Sequence, residues 1–316
     1  MRWDSRQLEA LAAVITEGSF EAAAHALHVT PSAVSQRVRA LENAAGSVLV
    51  RRTRPVAPTE PGRTLLRLAR QVELLGAEAS RELGPRDADH DDDGPARPVT
   101  VPLAVNADSL ATWVMPALAR VEGVAFDLYR EDQDRTVDLL PAGAVMAAIT
   151  SQREPVQGCT STFLGVTRYR PAATDAMIER WFPDGPTVEA LGRAPMLVFN
   201  RADDLQDAWL RERAASAGTA VPAPPRHHVP STPEYVDAIR RGLGWGMWGP
   251  LPGPGARFGM LDGGPQDGAR GGVRLLDEDA VVDVPIYLQQ WKLRSDVLDR
   301  VATALRTEAR RALPQH

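Results

Sequence analysis

Apolar residues recur along the first 80 positions at helical spacing, and each run is bounded by a residue suited to starting or stopping a helix. Leu8, Leu11, Ala12 and Ile15 fall at i, i+3, i+4 and i+7, which predicts a first amphipathic helix ended by Gly18. Ser19 suits the cap of a second, with Phe20, Ala24 and Leu27 on its inner face. His28-Val29 then turns the chain into a third, which Thr30 caps, Pro31 opens and Gly46 ends. In that helix Val34, Val38, Leu41 and Ala45 form the inward stripe. The opposite face carries Ser32, Gln36, Arg39 and Asn43, with Ser35 at its edge. Hydroxyls and an amide near the N-terminus, followed one turn later by a cation, suit a major groove. The first group reaches base edges and the cation meets phosphate. For this helix alone, an ordinary solvated face is the plain alternative.

The neighbouring segments decide between the two. Val48-Leu-Val50 reads as a short strand, Arg51-Arg52-Thr53-Arg54 as its tip and Pro55-Val-Ala-Pro58 as its return, a β-wing with a cationic end. Between residues 37 and 70 eight arginines face two glutamates, a local net charge of +6 in a chain whose formal net charge is −5. The overall balance argues against a wholly basic nucleic-acid binder, and the local one points to double-stranded DNA on this face. The candidate DNA contacts are Thr30, Ser32, Ser35, Gln36, Arg39, Arg51, Arg52 and Arg54. Residues 1–58 thus read as a winged helix-turn-helix domain. From residue 59 to 83 a long helix carries Leu65, Leu68, Val72 and Leu75 as a stripe too apolar to be left in water. A coiled-coil-like dimer is the expected cover, with packing onto its own domain as the alternative.

Residues 84–98 hold five aspartates among glycines and prolines, the composition of a flexible acidic linker. His90 lies among them, but a hinge explains the run better than a metal site does. Past Pro98 strands and helices alternate: strands at 100–105, 125–129, 145–149, 196–199, 226–229 and 284–288, with helices at 110–121, near 175–182, from 204, at 233–241 and at 295–313. Such alternation predicts a mostly parallel sheet with covered faces. Residues 252–272 are rich in glycine and proline and read as a surface insertion. With 316 residues, two or three domains are expected, and 44% hydrophobic with 24% charged residues is a globular composition. Cys159 is the sole cysteine, which excludes an internal disulfide framework and a cysteine metal cluster. No apolar run reaches membrane-spanning length and the N-terminus is no signal peptide, so a soluble cytoplasmic protein without a membrane partner is expected.

Three N-terminal segments, Gly18-Ser-Phe-Glu-Ala-Ala-Ala24, Thr30-Pro-Ser-Ala-Val-Ser-Gln-Arg-Val-Arg-Ala-Leu-Glu42 and Arg54-Pro-Val-Ala-Pro-Thr-Glu60, together resemble the LysR-type transcriptional regulators. A narrower resemblance, to the arginine/lysine-responsive (ArgP/LysG) subgroup, rests on Pro102–Trp113, Thr150-Ser-Gln152, Pro155–Cys159, Phe199–Asp204 and Gly242–Met247. The linker length, the 252–272 insertion and Pro61 depart from the family pattern. The resemblance implies an α+β multidomain protein: a winged helix-turn-helix, a dimerisation helix, and a two-lobed, periplasmic-binding-protein-like α/β effector domain over 99–316. Its lobes would comprise about 99–168 with 273–316, and 169–272. It also implies a regulator of basic amino-acid export genes that responds to lysine or arginine, assembles as a homodimer or homotetramer, and has RNA polymerase as a further candidate partner.

In such a domain ligands bind outside the carboxyl ends of the strands. Asn106, Asp108, Ser109, Asp132, Thr150 and Ser151 lie at three such ends, with Asn200, Asp203 and Trp245 as candidates in the second lobe. An amino acid needs donors for its carboxylate, which Ser109, Thr150 and Ser151 supply. Its cation needs a carboxylate, for which Asp132 is the first choice and Asp108 the second. Every one of these residues has a plainer role as a cap, turn or core residue. His227-His228 point to opposite faces of a strand, a poor chelate. No catalytic constellation and no cofactor motif emerges, so an enzyme is not expected. A ligand-gated regulator is the leading reading. An architectural DNA-binding protein without an effector, or a LysR-type regulator with a different small ligand, are the alternatives.

Overall fold

The computed structural model describes residues 3–83, 98–130, 139–249 and 272–315. Asp132, most of the acidic linker and all but the last residue of the 252–272 insertion lie outside the described residues. The chain divides into two compact units: residues 1–105, 120–162 and 288–304 form the first, and residues 106–119, 163–287 and 305–316 the second.

The first unit opens with three capped helices. Asp4 accepts from the amides of Arg6 and Gln7 to start α1 (Ser5–Thr16), and Ser19 accepts from Ala22 to start α2 (Phe20–Ala26). Thr30 accepts from Ala33, Pro31 supplies the first helical residue, and α3 runs over Pro31–Ala45. The wing is shorter than its sequence pattern predicts. Only β1 (Val50–Arg51) and β2 (Ala57–Pro58) pair, and Val48 remains 64% exposed. Glu42 pins the approach to the wing by accepting from the Leu49 amide at 2.9 Å.

A 23-residue helix, α4 (Glu60–Glu82), follows and is shared by two cores. Leu65, Leu66 and Ala69 are buried with Leu11, Val34 and Leu41 in the winged-helix core, and Leu68 packs against the same cluster. Leu74, fully buried, and Ala77 join Val101, Leu140, Val145 and Trp291 in a second core. The stripe read as a dimerisation seam therefore divides. Leu65 and Leu68 face their own domain, while Val72 and Leu75 stay about 40% exposed (41% and 40%). Two glycines permit the close approach of α4. A Cβ on Gly62 would lie 1.9 Å from the Leu49 carbonyl oxygen, and one on Gly143 2.8 Å from the Arg67 nitrogen. Gly143 also takes a φ of +70°, open to glycine at no steric cost.

The second core lies under a parallel sheet in which β3 (Val99–Val105) pairs with both β4 (Val124–Arg130) and β5 (Ala147–Thr150). The chain leaves the first unit within β6 (Cys159–Thr174) and returns to it within β11 (Val282–Trp291). The sequence pattern does not announce β6: Gly165 and Pro171 interrupt it, and its burial runs continuously over 164–167 and 171–174 and does not alternate.

In the second unit α5 (Ala107–Ser109) continues through a π-helical turn, Leu110–Val114, into α6 (Met115–Leu118). After β6 come α7 (Asp175–Trp181), α8 (Val188–Arg193), β7 (Met196–Val198), α9 (Leu205–Ala217), β8 (Arg226–His228), α10 (Thr232–Arg240), β9 (Gly246–Trp248) and β10 (Val273–Leu275). The β7–β8 pair is parallel, whereas β9 and β10 both pair antiparallel with β6, so the sheets are mixed and not uniformly parallel. Its core gathers Tyr169, Met196, Trp209, Leu210, Trp245 and Met247. The closing helix α11 spans Asp296–Ala312. No helix among the described residues is long and apolar enough to cross a membrane.

Because Leu74 is a fully enclosed side chain on a shared helix, Leu74→Ala should destabilise the first unit by about 2–5 kcal/mol in urea denaturation. Leu75→Ala, one position along and 40% exposed, should cost well under half of that in the monomer.

Candidate functional site

On α3 the outward face has the composition needed to read DNA. Ser32, Gln36 and Arg39 are exposed and Ser35 is half-buried at the edge. Thr30 caps the helix, and its hydroxyl lies 2.9 Å from that of Ser32. Arg37, off this face, turns instead toward Glu9 at 4.0 Å. In the wing Arg51 donates to the Pro58 carbonyl at 3.3 Å, and the Arg52 guanidinium lies 5.5 Å from the centre of the Phe20 ring. The stacking steadies Arg52 while leaving its N–H groups available to phosphate. Arg54 is exposed. The face therefore joins short polar groups on the helix to cations at the wing, all within the first unit.

The effector candidates sort into different roles. Asn106 is buried, and its side-chain oxygen accepts from the Ser109 amide at 3.0 Å, a capping role. Asp108 is held differently. Its carboxylate accepts from the Tyr169 hydroxyl at 2.5 Å and the Thr232 hydroxyl at 2.6 Å, residues supplied by β6 and the start of α10. Burial, followed by the charge of Asp108, pushes the Tyr169 phenol well above its usual range, so it remains a donor. Among the described residues no arginine, lysine or histidine forms an ion pair with Asp108. Beside it Ser109 is 2% exposed, and its hydroxyl has no partner among the described residues. A buried hydroxyl without a partner costs about 1–3 kcal/mol, a deficit that a ligand can remove.

Asn200 and Asp203 build a turn. Asn200 accepts from the amides of Ala202 and Asp203, and Asp203 accepts from those of Phe199 and Leu205. Burial raises the Asp203 carboxyl, and those two amides pull it back. Trp245 is fully buried, edge-on to Trp209 with ring centres 5.4 Å apart, in the core of the second unit. In the first unit Thr150 is fully buried at the end of β5, where its hydroxyl accepts from the Gln152 amide at 3.1 Å; Ser151 is half-buried. Asp108, Ser109, Tyr169 and Thr232 are thus brought together in the second unit, and Asn200, Asp203 and Trp245 serve its local architecture.

Tyr169 and Thr232 escaped the sequence reading. Thr232 sits in a Ser-Thr-Pro helix start, which points to capping, and Tyr169 lies inside the strand that was missed.

The N-terminal region, residues 5–63, matches the family model described as the bacterial regulatory helix-turn-helix protein, lysR family. Over 306 residues the chain is 42% identical to the HTH-type transcriptional regulator LysG of Mycobacterium tuberculosis, covering 97% of this chain and 93% of the relative. The chain belongs to the LysR family of transcriptional regulators.

Within the family it falls in the ArgP/LysG subgroup. The crystal structure of ArgP from Mycobacterium tuberculosis superposes with a TM-score of 0.79 at 38% identity, covering 100% of both chains. Full-length LysG from Corynebacterium glutamicum with bound effector Arg gives 0.70 at 35% identity, covering 98% of this chain and 99% of that one. These likenesses carry the fold: an N-terminal helix-turn-helix followed by an α/β effector domain.

Cys159 offers no nucleophile. It is 2% exposed, and burial raises its thiol to about 11 despite the nearby charges of Arg67 and Lys292. Iodoacetamide at pH 8 should therefore label the native protein at least about tenfold more slowly than the urea-unfolded chain, as mass spectrometry would show.

Proposed function

We propose that this LysR-family regulator takes lysine or arginine as its effector and that Asp108 holds the cationic end of that ligand. One observation carries the reading: a carboxylate oriented by two hydroxyls, Tyr169 and Thr232, yet with no cation paired to it among the described residues. Ionised carboxylates have about four acceptor positions, so two remain for an ammonium or guanidinium. The unpartnered Ser109 hydroxyl next to it suits the ligand's carboxylate. The arginine held by the Corynebacterium glutamicum relative supports the same ligand class. The genes controlled are those for basic amino-acid export, as the subgroup resemblance implies, and the protein acts in the cytoplasm as a homo-oligomer through the exposed Val72 and Leu75.

Arginine and citrulline differ chiefly in charge, so they test the pairing directly. Titration calorimetry of the full-length protein should show arginine binding far more tightly than citrulline. Asp108→Asn should weaken arginine by ten- to a thousand-fold, about 1.5–4 kcal/mol, and erase most of the preference. Wild-type protein binding citrulline as tightly as arginine would sink the cation-pairing assignment.

The same proposal assigns base reading to α3 and phosphate contact to the wing. Gln36→Ala should relax preference at one position of each half-site, costing about 1–3 kcal/mol against an operator selected from random DNA. Arg52→Ala should weaken all sequences alike and lower the salt slope by about one. Unchanged selectivity in Gln36→Ala would move the reading face elsewhere.

A further inference from the structure

Among the described residues Arg70 is the one buried cation, with 5% of its surface exposed on α4. Its Nη1 donates to the Ala144 carbonyl, in the turn that precedes β5, and its Nη2 donates to the Thr16 hydroxyl at the end of α1, 3.3 Å away. Tyr129 and Asp127, two residues apart on β4 and so on one face, lie close enough to favour its charge. Glu73, one turn along α4, completes the charges around it. Burial disfavours the guanidinium and holds it below its usual range, and the surrounding acceptors and charges offset that in part. The five groups come from the winged helix-turn-helix, the shared helix and the effector-domain sheet, all inside the first unit.

We propose that Arg70 is a positioning residue that couples the DNA-binding domain to the effector-domain sheet, so that a change at the sheet is transmitted to α1 through this side chain. The geometry favours it because two of the elements Arg70 touches, β4 and the turn before β5, belong to the same parallel sheet as β3. β3 leads directly into Asn106 and the Asp108 segment, while β5 ends at Thr150. Packed α4 would carry the headpiece with it, since Leu66 and Leu74 are locked in different cores. Effector control through this contact rests on the function proposed above, whereas the mechanical join itself does not.

Arg70→Met removes every hydrogen bond while keeping an unbranched apolar stem of similar bulk. Hydrogen exchange on the free full-length protein tests the join without any ligand. Protection should fall together in residues 139–145 and at the end of α1, with α7 to α10 unchanged. Unaltered exchange at either site would overturn the proposal. Operator binding with and without arginine then tests the coupling. Coupled sites differ on the order of 5–150-fold; in Arg70→Met that factor should drop below about twofold while calorimetric arginine affinity stays near wild type. A variant that kept the wild-type factor would overturn it. Wild-type protein with no response to arginine would instead count against the effector assignment, and the exchange result would still decide the join. If Arg70→Met fails to fold, Thr16→Val, which removes only one acceptor, should show the same loss of protection to a smaller degree, and no loss would overturn the proposal.

Discussion

A single helix that is needed by two cores constrains how this protein can move. Leu66 and Leu74 of α4 are eight residues apart, hence about two turns, and both are almost fully enclosed, one among winged-helix side chains and the other beneath the β3–β4–β5 sheet. Each burial is worth a few kcal/mol, the scale of a small domain's whole stability margin. Neither core is complete without α4. The helix therefore behaves as a shared rigid element, and the cationic Arg70 lies between its two anchor points, bonded to both sides.

The winged helix-turn-helix was legible in the sequence because its information is local. Caps at Ser19 and Thr30, the Pro31 start, and apolar spacing of three and four each act within one or two turns. The effector-side cluster was legible only in part, since its contacts are not local. Tyr169 is 61 residues from Asp108 and Thr232 is 124, so no window of sequence relates them. The α4 stripe shows an intermediate case. Its period announced a buried face, but which neighbour buries each residue depends on three-dimensional packing: Leu65 goes to its own domain, and Val72 is left outside.

Asp108 and Asp203 show why residue type alone cannot mark a binding site. Both are acids at strand–helix junctions in the second unit. Asp203 spends its oxygens on two backbone amides that close its own turn, and losing them would unfold that turn. Asp108 is bonded by side-chain hydroxyls from distant elements, whose O–H bonds can rotate to admit another donor. The first arrangement serves folding, whereas the second leaves negative charge that still has room for a cation.

Regulation requires that a ligand bind two arrangements of the protein with unequal affinity, however tightly it binds either. On the proposed assignment a cation at Asp108 would change which groups share that carboxylate, and the segment bearing Asp108 continues directly from β3. β3 hydrogen-bonds along its whole length to β4, the strand that carries Tyr129 and Asp127. A strand ladder resists sliding because a one-residue slip turns every side chain to the wrong face. Within the first unit, a displacement of the sheet as a body would meet α4 at Arg70 and Leu74. Apolar packing at Leu74 holds the helix against the sheet without fixing direction, since the hydrophobic effect is non-directional. Hydrogen bonds from a planar guanidinium do fix direction, and this makes a buried arginine, despite its desolvation cost, a better joint there than another leucine.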